Sequence, residues 1–115
     1  MAWLMTEARV LASIDVANSH SAKAKGLLGR DDIDGAYAIP KCRWIHTIGM
    51  KFPIDVAYVD ADNVVIKVAA MHPHRIAMPV HKSAMVIEAR AGAFERWGLK
   101  VGMPIEIRND SDSAT

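Results

Sequence analysis

The sequence predicts a mainly β fold, a compact single domain shaped as a distorted barrel or a jelly-roll-like sandwich with two short helices. Three observations lead there. Five or six short apolar segments read as strands. Turn-rich stretches join them more often than helices do, which argues against a doubly wound parallel sheet. At 115 residues the chain supports one core without staples.

The first strand is read over residues 8–16. Ala8, Val10, Ala12, Ile14 and Val16 alternate with Arg9, Leu11, Ser13 and Asp15, a period of two. Asn18-Ser-His-Ser21 then offers a serine cap for a short helix. Ala22, Ala24, Leu27 and Leu28 form its apolar side, and Gly29 ends it. Asp31-Asp-Ile-Asp-Gly35 is a turn-rich link into a short strand, Gly35–Ile39, closed by Pro40.

Ile54 to Val59 is apolar on both faces, as a central strand should be. Asp60-Ala-Asp-Asn63 has hairpin composition, and Val64–Ala70 is its partner, with Lys67 facing solvent. Residues 71–80 contain two prolines, two histidines and Arg75, and read as an irregular excursion over the surface. Ala84–Ala91 is the next strand. Met85, Ile87, Ala89 and Ala91 share one face; Val86, Glu88 and Arg90 share the other. Ala93–Trp97 is about one helical turn, between Gly92 and Gly98. Pro104–Arg108 is the last strand. The domain is expected over residues 1–108. A frayed tail, Asn109–Thr115, follows, because it lacks a large apolar residue.

Net charge is +1 and evenly divided. Residues 1–60 hold seven basic and seven acidic side chains, and residues 61–115 hold seven and six. No basic run marks a nucleic-acid binder, so no nucleic-acid partner is expected. Cys42 is the only cysteine, which excludes an intramolecular disulfide. The N-terminus has no signal-peptide pattern, and no uncharged apolar stretch approaches the roughly 18 residues of a membrane span. The expectation is a cytoplasmic protein with no membrane partner, either a monomer or a weak homo-oligomer.

The chemistry-bearing residues gather in the stretch Arg43–Asp60. Asp55 lies one residue into an apolar strand, where an ionised carboxylate without partners would be very costly. It is either a structural anchor for the turn at residues 46–53 or a general base or ligand contact. Glu88 repeats the pattern. It belongs either to a solvated or cross-strand pair, or with Asp55 at one mouth of a small barrel. Paired carboxylates there do acid–base work or hold a cation. His46 and Thr47 form the polar tip of a turn shaped by Gly49 and Pro53. An imidazole there either bonds local backbone or binds and moves protons. Met50, Met71 and Met78 supply adaptable apolar lining. His72 and His74 share one side of an extended chain, and His46 and His81 are further candidate ligands, yet no Cys or carboxylate falls at a metal spacing and Pro73 interrupts the strand, so no metal is expected. Cys42 and His46 stand about 13 Å apart if the segment is extended. That is too far for a nucleophile–base pair, and Cys42 is read as a packing residue. No phosphate-binding loop, nucleophile elbow or zinc-protease motif occurs.

Four blocks in order carry a resemblance to a known family. They are Lys25-Gly-Leu-Leu-Gly-Arg30, Ile45-His-Thr-Ile-Gly-Met-Lys-Phe-Pro-Ile-Asp-Val-Ala-Tyr-Val-Asp60, Val86-Ile-Glu-Ala-Arg-Ala-Gly92 and Gly98-Leu-Lys-Val-Gly102. Together they resemble the DUF192 (UPF0127) family over residues 8–108. The resemblance implies a compact, mainly β domain of uncharacterised function, and no reaction. Pro53, Asp55, Glu88, Gly92 and Gly102 match the family pattern. The run before the proline departs from it. His46 stands where tryptophan is usual and Thr47 where methionine is, while Gly49 replaces asparagine and Met50 replaces threonine. The chain therefore resembles a His-Thr variant branch. Many relatives resemble exported or membrane-tethered proteins, whereas this N-terminus reads without their leader.

The function expected from these residues is binding of a small polar ligand, with no cofactor. The pocket would sit at the residue 46–55 turn, lined by His46, Thr47, Met50, Asp55 and Glu88. One alternative is a hydrolase-type enzyme using a His/carboxylate pair. The other is a protein-interaction module presenting an apolar patch around residues 71–80, Trp3 or Trp97.

Overall fold

The computed structural model describes residues 1–17 and 34–109. Its strands are β1 (Ala2–Thr6), β2 (Arg9–Val16), β3 (Ala36–Pro40), β4 (Ile54–Val59), β5 (Val65–Met71), β6 (Met85–Arg90) and β7 (Glu106–Asn109). One short helix, α1 (Ala93–Trp97), follows β6. The helix expected after Asn18 lies outside the described residues, as do residues 110–115 of the expected tail. Asn109, assigned to that tail, instead ends β7 and pairs with Ala2.

The seven strands form one mixed sheet in the order β5-β4-β6-β3-β2-β1-β7. Neighbours are antiparallel except β2 and β3, which run parallel. The fold is mainly β, as expected, and the sheet coils without closing, consistent with a distorted barrel or sandwich. Its two edges approach at one corner. Val65 donates to the Met103 carbonyl, Gly102 donates to the Val65 carbonyl, and Ile105 donates to the Asn63 carbonyl.

Alternation along the strands divides the apolar residues into two cores. The inner core takes Leu4, Ile14, Val59, Val65, Ile87 and Phe94, with alanines at 36, 38, 57 and 89. Those alanines keep the interior narrow, as a small coiled sheet requires. The outer core takes Tyr37, Ile54, Val56, Tyr58 and Val86 from the opposite face, with Ile45 and Met50 folded over them. β4 is the wall shared by both cores, and all six of its residues are buried.

Turn chemistry sets the register at each end of the sheet. Asp60 Oδ1 accepts the Asp62 and Val64 N–H groups at 2.9 and 3.0 Å and so fixes the expected β4–β5 hairpin. β2 meets β3 so closely at Gly35 that a Cβ there would lie 2.6 Å from the Ser13 carbonyl oxygen. Only glycine fits that approach. β1 goes beyond the expected strands. Thr6 pairs with Arg9, leaving Glu7 and Ala8 as a two-residue turn, both left-handed, with φ of 48° and 66°. The Asn-Gly signal that usually marks such a turn is missing, and Ala8 belongs to the turn, not to β2.

A left-handed alanine costs about 1–2 kcal/mol, part of which glycine's extra chain entropy cancels. Ala8→Gly is therefore expected to raise stability by about 0.5–1 kcal/mol. The check is a urea titration, where the midpoint should rise at unchanged slope. A lower midpoint would contradict this turn.

Candidate functional site

Asp55 projects to the inner face of β4, between Ala70 on β5 and Ala89 on β6. The two alanines leave room for a carboxylate that is only 8% exposed. Its Oδ2 accepts the Gly92 N–H at 3.0 Å and the Phe94 N–H at 3.1 Å. These amides open α1, whose cap residue Gly92 has no side chain to offer. The free N–H groups of a helix start need acceptors, and here a strand supplies one. Asp55 thus ties down the turn after β6, while the turn before β4 is held by other groups.

Thr47 holds that earlier turn. It is fully buried. Its hydroxyl donates to the His72 carbonyl at 2.6 Å and accepts the Arg75 N–H at 2.9 Å. Its backbone N–H donates to the Arg75 carbonyl, and its carbonyl accepts from His74 and Met50. An antiparallel bridge joins His46 to Ile76 beside it. Ala77 donates to the Ile45 carbonyl and Val80 to the Arg43 carbonyl. The two segments expected to be a turn and an irregular excursion are therefore laced into one ribbon. Ile45 and Thr47 face the outer core; Trp44, His46, Ile76 and Met78 face out.

The histidines serve this ribbon as acceptors. His46 Nδ1 accepts the Ile48 N–H and His74 Nδ1 the Gly49 N–H, both at 3.3 Å. None of His46, His72, His74 and His81 bonds a carboxylate among the described residues. Nor do three His, Cys, Asp or Glu side chains converge there at metal distance.

Glu88 opposes Val56 on β4 and Tyr37 on β3, so it lies on the outer face. Asp55 opposes Ala89, the next residue, and lies on the inner face. The sheet thus separates the two carboxylates. Met50 is packed in the outer core and His46 is exposed. The five residues expected to line one pocket are not brought to one place. Glu88 instead acts on Tyr58, whose hydroxyl is pushed above its ordinary range by burial first, then by the charges of Cys42 and Glu88. Cys42 packs against the outer core, as expected of it.

A concave, partly apolar feature lies beside the ribbon. A groove of about 330 Å³ runs between β5 and residues 75–78, with Tyr58 and Ala69 on one side and Ile76 and Met78 on the other. Lys67 and Arg75 also line it, and the Lys67 ammonium sits 5.9 Å from the Tyr58 ring centroid. Sequence reasoning missed the cationic partner of this apolar patch. The missed signal is the spacing of acidic residues. None occurs between Asp34 and Asp55 or between Asp62 and Glu88, although these stretches contain Lys41, Arg43, Lys51, Lys67, Arg75 and Lys82.

A small mixed-sheet β domain with two stacked cores and a helix tied to the fully buried strand β4 is the class these features define. The DUF192 family model, described as "Uncharacterized ACR, COG1430", matches residues 3–107, and the chain belongs to that family. Among solved structures, a protein of unknown function from Novosphingobium aromaticivorans DSM 12444 is similar, with a TM-score of 0.77 and 20% identity. The match covers 91% of this chain and 82% of that one. A putative transcription regulator from Sinorhizobium meliloti 1021 is similar with a TM-score of 0.76 and 21% identity, over 91% of this chain and 90% of that one. Both share the fold. No curated protein matches. No helix among the described residues is long and apolar enough to cross a membrane.

Two substitutions test the structural ties. Asp55→Ala strands the buried Phe94 amide and the partly buried Gly92 amide and should cost about 3 kcal/mol, with Asp55→Asn losing roughly half of that. Thr47→Val keeps the shape but orphans the Arg75 N–H, at about 2 kcal/mol. Chemical denaturation reads both, and losses below about 1 kcal/mol would contradict these roles.

Tyr58 sets an alkaline limit. The folded chain keeps a proton that the unfolded chain releases near pH 10. Its contribution is therefore full below about pH 10 and falls as pH rises through the higher folded value. Stability should decline from about pH 10 up to that higher value, and Tyr58→Phe should flatten the decline. An unchanged slope in the variant would contradict the assignment.

Proposed function

We propose that this domain is a protein-interaction module whose contact surface is the ribbon made by residues 43–50 and 75–80. One observation carries the reading. Ile76 and Met78 are 69% and 78% exposed on a backbone that Thr47 and the His46 bridge hold in place. Large apolar side chains presented together on ordered backbone are the usual mark of a binding surface. Trp44 and Ile48 add to the same layer. Other exposed apolar residues, such as Val10 and Val101, lie on separate segments.

The polar residues that drew attention in the sequence support this reading indirectly. Asp55 and Thr47 are occupied by backbone bonds, so their chemistry is spent inside the fold. The ribbon's outward side chains are those left to meet a partner.

Photocrosslinking in the source cells tests the reading. A benzophenone amino acid in place of Met78 should yield a discrete heavier adduct, and Ile76→Ser should reduce it. The same probe in place of Glu95, exposed on α1, should yield none. Equal labelling from both positions, or no adduct from position 78, would remove the proposal.

A further inference from the structure

We infer that the partner of this surface is an extended, carboxylate-bearing peptide segment lying in the groove between β5 and residues 75–78. The inference rests on the interaction-module reading and names the chemistry of its partner.

The backbone argument comes from β5. It is an edge strand of the sheet. Among the described residues, Val65 bonds outward to Gly102 and Met103, while Lys67 to Met71 pair with β4 alone. An edge strand with free amide and carbonyl groups is a template for an added strand. The groove is lined by Lys67, Ala69 and Met71 of this strand, so an extended chain seated there would lie beside the edge, with an apolar wall in Ile76 and Met78.

The charge argument selects which chain. The groove is lined by Lys67, His72 and Arg75 and by no carboxylate. Asp60 and Asp62 border the face only at the hairpin end, beside His81 and Lys82. Glu88 is buried beneath. A lysine in the middle of an edge strand repels basic strands, resists burial against neutral ones, and is a recognised guard against unwanted pairing. A second copy pairing β5 with β5 would set Lys67 and Arg75 near their own kind. A strand with carboxylates at alternate positions would reach those cations with one face, and apolar residues between them would bear on the rest of the groove. The concavity, lined by apolar side chains and cations, favours a peptide over a lipid surface or a duplex.

Fluorescence anisotropy with the full chain tests the assignment. The probe is a labelled decapeptide alternating valine and glutamate; its control alternates valine and lysine. The acidic peptide should bind and the control should not, with affinity falling as salt rises from about 0.05 to about 0.5 M. The exposed pair Lys67→Glu/Arg75→Glu should weaken the acidic peptide by about tenfold or more and should confer binding of the basic one. Amide shift changes should map to residues 66–78. Equal binding of both peptides, no effect of the charge reversal, or shifts elsewhere would overturn the inference. So would tighter binding to phosphatidylglycerol vesicles or to duplex DNA than to the peptide. Each of those results leaves the interaction surface standing, because the position 78 crosslink decides that question separately.

Discussion

The carboxylate of Asp55 is the constraint on which the rest of the structure depends. It sits in a strand with two buried faces, where an ionised group is tolerated only if donors surround it. The Gly92 and Phe94 amides meet that demand. In doing so they dock α1 onto β4 and seat Phe94 in the inner core beside Ile87 and Ala89. One bond pair thus satisfies a buried charge, caps a helix too short to stand alone, and closes one region of the core.

The other face of β4 meets a different requirement. Val56 and Tyr58 need a cover, and the ribbon of residues 43–50 and 75–80 provides it. Irregular backbone over a core must pair its polar groups, and Thr47 does so from a fully buried position with hydroxyl, N–H and carbonyl all engaged. No buried side-chain nitrogen or oxygen lacks a partner among the described residues. Polar chemistry inside the domain is therefore committed to structure. What remains available is on the outside of the cover, where apolar side chains and cations lie together.

Much of this architecture was legible in the sequence. The two-sided apolar run of β4, the Asp60 turn, the alternation of β6 and the glycine-bounded helix all follow from local patterns. Asp55 was legible as a buried carboxylate in need of donors, though not which donors. They come from the far end of β6, a contact that no spacing rule supplies. Glu88 shows the limit more sharply. Whether it shares a face with Asp55 turns on a one-residue register between β4 and β6, and the register pairs Asp55 with Ala89. β1 escaped notice because its hairpin turns through Glu7 and Ala8 without glycine or asparagine. The cationic face escaped because charge counted by halves of the chain averages out two acid-free stretches that only the fold places together.

Native-state amide exchange at Gly92 and Phe94 tests the central claim most directly. If Asp55 holds these amides, both should exchange as slowly as the amides of β4, through near-global unfolding, and Asp55→Asn should speed them selectively. Exchange at the rate of an open loop while β4 stays protected would contradict the account.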